Sequence, residues 1–168
     1  MLKKILLLLA FFLLSLSIQA QQQVLIPMDA SQTNHLKAYG VVFNHITDGY
    51  PVKWLLNYRG GSFLVNIDSD IVRKSRLRNV SLETVSDSKA ASILQEVERP
   101  GSNTSVVNLE KAPKIAVYTP DQALPWDDAV TLALTYAEVE YDKIWDVEVL
   151  EGKLKEYDWL HLHHEDFT

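Results

Sequence analysis

The densest run of side chains able to bind a metal or move a proton lies near the end of the 168-residue chain, at His161-Leu162-His163-His164-Glu165-Asp166. Side chains alternate across a β-strand, so a strand here places His161, His163 and Glu165 on one face. Two imidazoles and a carboxylate form a ligand set that suits zinc or a similar divalent ion, the one cofactor the sequence suggests. The string departs at two positions from a His-x-His-x-Asp-His metal motif: Glu165 stands where an aspartate belongs, and Asp166 where the last histidine belongs. The same residues also fit plainer roles. His161 can pack in a sheet with a hydrogen bond while His163 to Asp166 open a solvated loop, or His163 or Glu165 can transfer a proton.

A second concentration of polar groups spans Thr119 to Asp128 and includes Asp121, Gln122, Trp126, Asp127 and Asp128. Acidic groups beside a tryptophan suit a cation, an amine or a sugar, which makes Trp126, Asp127 and Asp128 the candidate residues for a small-molecule ligand. The loop has no glycine to let backbone wrap a phosphate, and a nucleotide site is disfavoured. A thiol nucleophile is excluded because the chain has no cysteine, and no Gly-x-Ser-x-Gly elbow is present. Tyr58-Arg59-Gly60-Gly61-Ser62 fits a hairpin turn without any ligand. His35 and His45 project from different faces of one helix and form no metal pair. Trp54, Trp145 and Trp159 read as core anchors.

Elements must hold these groups in place, and composition bounds what they can be. The chain is 47% hydrophobic with a formal charge of -6 and no cysteine, which describes one ordinary globular domain or two small ones. Arg73, Lys74, Arg76 and Arg78 are scattered rather than gathered into a run, so nucleic acid is not expected as a partner. Lys3 and Lys4 precede an unbroken apolar stretch from Ile5 to Leu14, and Ser15, Ser17 and Gln19 lead to a small residue, Ala20. This is the pattern of a secretory signal peptide cleaved after Ala20. The stretch falls short of the roughly 20 apolar residues that span a bilayer, so a periplasmic or extracellular protein without a stable membrane anchor is expected. Without disulfides, such a chain is stabilised by its core alone.

Along the rest of the chain, Val24 to Met28 reads as a strand, and a helical pattern from Ser31 carries Leu36, Tyr39, Phe43 and Ile46 at spacings of three and four. Val52 to Asn57 and Phe63 to Ile67 read as a hairpin. Asp68 to Arg78 reads as a helix with Ile71, Val72 and Leu77 inward, Val80 to Val85 as a strand, and Ser86 or Asp87 as the cap of a further helix. The breakers Pro100, Gly101, Ser102 and Asn103 place a boundary between halves, giving a mixed α/β region over 21–99 and a linker over 100–113. Beyond it, Ile115 to Tyr118 is a continuous apolar run, the mark of a strand covered on both faces in a parallel sheet. Asp127 or Asp128 can cap a helix from Ala129 to Val139. Trp145, Val147 and Val149 alternate as a second strand, and Trp159 to His164 form a third after a surface turn. The fold class expected is α/β: a mixed N-terminal half, then the start of a doubly wound, flavodoxin-like parallel sheet over 114–168. Three strands with one crossover helix leave a face bare, so the chain reads as the opening part of a longer product.

Several stretches carry a resemblance. Leu25-Ile26-Pro27-Met28-Asp29, Asn34 to Gly40, Trp54 to Phe63, Pro125 to Val130 and Trp159 to Phe167 together resemble a group of exported bacterial proteins labelled asparagine synthetase B. The similarity covers nearly all of the chain after the leader. It implies a longer protein whose later part continues as a flavodoxin-like domain similar to class I glutamine amidotransferases, with a nucleophile elbow beyond Thr168. Synthetase chemistry proper would need an N-terminal cysteine and a Ser-Gly-Gly-x-Asp-Ser loop, and this chain has Leu2, no cysteine and only Gly60-Gly61-Ser62. The function expected is therefore the N-terminal part of an exported amidotransferase-like protein acting on a small amide, peptide or sugar. A sugar- or cation-binding module and a zinc-dependent hydrolase are the alternatives.

Overall fold

The computed structural model describes residues 22–162. The expected leader, and His163 to Asp166 of the histidine-rich string, lie outside the described residues. The described chain is mixed α/β, with five α-helices and two sheets.

The first sheet has the order β4-β1-β3-β2-β5 and is antiparallel throughout. Its strands are β1 (Gln23–Ile26), β2 (Val52–Leu56), β3 (Phe63–Asn66), β4 (Glu83–Val85) and β5 (Ser105–Leu109). Between them come α1 (His35–Thr47), α2 (Ser69–Leu77) and α3 (Asp87–Val97). Each helix starts at a polar cap that satisfies free N–H groups of the first turn. Asn34 accepts from Lys37 N, Asp68 from Asp70 N and Ile71 N, and Ser86 from Lys89 N. The β2–β3 hairpin forms as expected, pairing Trp54 with Phe63. Gly60 in its turn has a φ of 81°, and a side chain there would start 2.3 Å from Met28 O, so glycine is required twice over. The sheet buries both faces: Ile26, Phe63 and Val65 pack under α1 and α2, and Leu25, Leu55 and Leu64 under α3.

Three expectations change in this half. The buried stripe of α1 is Ala38, Val41, Val42, His45 and Ile46, whereas Leu36 and Tyr39 are 44% and 43% exposed. The helix is gripped from two sides, by the sheet and by a second helix, and small residues take the tight positions. Leu77, expected inward, is 69% exposed because α2 ends there; Ile71 and Ser75 are the inward residues. The breaker cluster is a turn inside this unit, with Ser102 N bonded to Arg99 O, and not a boundary. It returns the chain into β5, which pairs along all of β2 from Val52–Leu109 to Leu56–Ser105. Of the stretch read as a linker, 100–113, only residues 110–113 lie between the two sheets.

The second sheet is parallel and three-stranded, in the order β7-β6-β8: β6 (Ile115–Tyr118), β7 (Asp142–Ile144) and β8 (Trp159–Leu162). The helix α4 (Ala129–Ala137) connects β6 to β7, and α5 (Asp146–Leu150) with a short 3-10 turn leads to β8. The strand expected at Trp145 to Val149 is a helix instead. Asp146 and Glu148 fall in its first turn, where the helix dipole favours acidic groups, and Glu148 accepts the Trp145 N–H at 2.9 Å. Val147, which strand alternation would have buried, is 60% exposed.

The two units meet along α1 and α4. Gly40 lies so close to α4 that a β-carbon on it would stand 1.7 Å from Ala137 O. Polar bonds line the seam: Asn34 Nδ2 to Tyr136 OH at 2.7 Å, Lys37 Nζ to Glu138 Oε1 at 2.6 Å, and Asn44 Nδ2 to Glu138 O at 3.0 Å. Glu138 caps α4 in the left-handed region and also receives Arg78, the C-cap of α2. Among the described residues no helix is long and apolar enough to cross a membrane.

Candidate functional site

In an open parallel sheet, ligands bind beyond the carboxyl ends of the strands, where neighbouring connections leave in opposite directions. With the order β7-β6-β8, that junction lies between β6 and β8. Register sets Val117 beside His161 and Tyr118 beside Leu162, so His161 is next to the last described residue of its strand. Alternation gives Trp159 and His161 the same face, and His161 on that face meets the start of α4.

Asp128 supplies the contact. It is the N-cap of α4, accepting Val130 N–H at 2.7 Å and Thr131 N–H at 3.1 Å through Oδ1, and the same oxygen lies 3.1 Å from His161 Nε2. Burial pushes the Asp128 carboxyl up, but the N–H groups of Thr131 and Val130 and the His161 ring together outweigh it and hold it below the ordinary carboxylate value. Asp128 is therefore a buried, ionised anchor at a helix N-terminus, and His161 is half-buried against it. Thr131 closes the turn, its hydroxyl donating to Pro125 O at 2.7 Å. Thr119, immediately after β6, is 1% exposed, and among the described residues its Oγ1 has no hydrogen-bond partner.

The other expected site residues separate from this pair. Asp127 is exposed and spends Oδ2 on the N–H of Leu124 at 2.8 Å, a turn-closing bond. Trp126 is 65% exposed and touches neither Asp128 nor His161 through any ring or hydrogen-bond contact among the described residues. Asp121 and Gln122 line a shallow hollow of about 320 Å³ with Trp145 and Glu148. Of the expected metal ligands, His161 is placed as above, and His163 and Glu165 lie outside the described residues. Among the described residues no group of three His, Asp or Glu side chains is arranged to hold a metal ion.

The glycine-rich turn is structural. Every nitrogen of the Arg59 guanidinium is engaged within the chain, with Asp29 at 2.6 Å, both oxygens of Glu83 at 2.8 Å and Ser31 at 3.1 Å. These bonds hold Asp29 well below the usual carboxylate range. His35 bonds backbone oxygens of Met28 and Asp29, and His45 is buried at 2% exposure, stacked on Tyr50. Thr131 was the residue of the polar junction that sequence reasoning missed; the signal was its place three residues after a capping aspartate. No protein-family model, curated protein or solved structure matches the chain.

Proposed function

We propose that the second unit opens a doubly wound, flavodoxin-like sheet and binds a small polar ligand, an amide, short peptide or sugar, at the junction of β6 and β8. In this reading the chain is the N-terminal part of an exported, amidotransferase-like protein of the kind its sequence resembles. Asp128 orients the His161 ring, His161 offers its other nitrogen to the ligand, and the Thr119 hydroxyl supplies a second contact. One observation carries the reading: the order second-first-third, with which flavodoxin-like sheets begin, together with a carboxylate–imidazole pair between the N-terminus of α4 and β8 at the switch point. The buried hydroxyl of Thr119, at the carboxyl end of β6 and without a partner among the described residues, agrees with a site built for a polar guest.

The same pair also favours a second reading, since a carboxylate that fixes an imidazole is the usual outer shell of a metal-ligating histidine. His163 and Glu165 would then join His161 as ligands to zinc. Calorimetric titration of the chain with L-glutamine, L-asparagine, glucose and zinc chloride separates the two. Saturable binding of an organic ligand, weakened at least tenfold by His161→Ala, supports the first reading. Zinc held through dialysis and lost in His163→Ala supports the second, and no binding by any of the four sinks both.

A further inference from the structure

A cleft of about 640 Å³ lies between the two sheets, within the range of small-molecule sites. Neither Asp128 nor His161 lines it, so it stands apart from the polar junction. Its floor is Ile115 and Leu134 of the second unit, and its walls carry the rings of Tyr39, Phe43, Trp54, Phe63 and Trp159. These rings come from one helix, α1, and three strands, β2, β3 and β8, and three of them brace one another. Tyr39 meets Phe63 edge-on at 5.7 Å, and Trp54 lies nearly parallel to Phe63 at 6.0 Å. The Trp54 indole N–H is already bonded to Gly61 O at 3.0 Å, so that ring makes no polar demand on a guest. Tyr39 and Trp159 remain 43% and 42% exposed, which leaves the cleft open to solvent on their side.

Charge narrows the guest further. Among the described residues Lys111 is the only charged one lining the cleft, in a chain whose net charge is -6. Its ammonium group pairs with Asp158 at 3.1 Å, but the Lys111 side chain is 78% exposed, and so open a pair is worth little. An anion arriving with a ligand can take the ammonium from it. Aromatic walls prefer flat rings, in offset or edge-on contact, and lose little freedom on binding.

We propose that this cleft binds a ring-bearing small molecule with a single anionic group, the rings seated among Trp54, Phe63 and Trp159 and the anion met by Lys111. The concave, many-sided enclosure favours a small guest over the flat face of a partner protein. The test titrates the full chain with 1-anilinonaphthalene-8-sulfonate and, separately, with uncharged N-phenyl-1-naphthylamine, while sedimentation velocity follows the oligomeric state. The expected result is one saturable site per chain, with the sulfonate held about threefold to fivefold tighter than the amine, the scale of one exposed ion pair. Lys111→Gln, an exposed change that keeps the fold, removes that preference. Leu109→Lys puts a charge in the apolar wall and weakens both probes at least tenfold, whereas Leu150→Lys, at a position 87% exposed on α5, changes neither. The proposal is overturned by the absence of a saturable site, by several dyes per chain, by equal loss in Leu150→Lys, or by a dimer that excludes the dye. If Leu109→Lys fails to unfold cooperatively, the Lys111→Gln preference decides alone.

Discussion

Replacing Gly40 with alanine puts a methyl group where α1 and α4 touch. The new carbon would stand 1.7 Å from Ala137 O, 2.7 Å from its carbonyl carbon and 3.3 Å from its α-carbon. All three atoms are helix backbone, which cannot swing aside as a side chain can. Restoring a normal separation requires the helices to part by about 1.5 to 2 Å. Overpacking of this kind costs about 1 to 3 kcal/mol, and a backbone obstacle belongs at the upper end. Parting the seam also stretches the Asn34–Tyr136, Lys37–Glu138 and Asn44–Glu138 bonds, for about 1 kcal/mol more. Alanine returns about 1 kcal/mol through its better helix propensity. The net expectation is a loss of about 2 to 3 kcal/mol, or about 6 to 9 °C in Tm for a chain of this size. Urea unfolding followed by tryptophan fluorescence measures it, with Gly49→Ala as the control. That position has a φ of 89° and nothing within 4 Å, so it loses only about 1 kcal/mol, the local cost of a left-handed residue. A Gly40→Ala protein as stable as the parent would refute the account of the seam and of how the two sheets are held together.

Three further outcomes follow from the geometry. Asp128→Ala removes both the α4 cap and the partner of His161, an expected loss of about 2 to 3 kcal/mol, whereas His161→Ala leaves the cap intact and costs about 1 kcal/mol; equal losses in chemical denaturation would contradict the dual role of Asp128. His45 is buried and its pKa lies below the ordinary 6.5, chiefly through desolvation. The folded state then binds fewer protons than the unfolded one, so stability is complete above pH about 6.5 and falls as pH drops below it, by up to about 1.4 kcal/mol per pH unit, and His45→Leu flattens this slope. Thr119→Val removes a buried hydroxyl without a partner among the described residues and is expected to leave stability unchanged or raise it by up to about 1 kcal/mol, while weakening any ligand that uses the hydroxyl; a clear loss of stability would show that the hydroxyl is already satisfied.

What could be read from the sequence was local. Ile115 to Tyr118 announced a strand covered on both faces because its apolar run is unbroken, and Gly60-Gly61 announced the β2–β3 hairpin. The caps were legible to within one residue, as Ser86 or Asp87 and as Asp127 or Asp128, because a short polar side chain before an apolar helical stretch has one favourable use, and the structure selects Ser86 and Asp128. Pairings between distant segments were not legible. β5 follows the densest breaker cluster and shows a weak polar alternation, and only its partner β2 makes it a strand. Asp142–Ile144 is too short to show a period, and the alternation at Trp145 to Val149 is overridden by acidic residues placed to start a helix. The site followed the same division. Asp128 and His161 were each singled out, but their contact spans 33 positions and exists only because β8 pairs in parallel with β6. Trp126 and Asp127 were chosen for their chemical types, and the turn that closes on Asp127 leaves Trp126 facing solvent. The aromatic cleft draws its rings from four elements, so no local pattern could have shown it.

The proposed polar site at the junction of β6 and β8 is tested most directly by NMR of the chain, following histidine ring and backbone amide signals during titration with L-glutamine. The account predicts saturable shifts of the His161 ring and of the Thr119, Val130 and Thr131 amides, with His35 and His45 unmoved, all abolished in Asp128→Ala. Shifts confined to other surfaces, or a His161 ring that stays fixed while ligand binds, would contradict it.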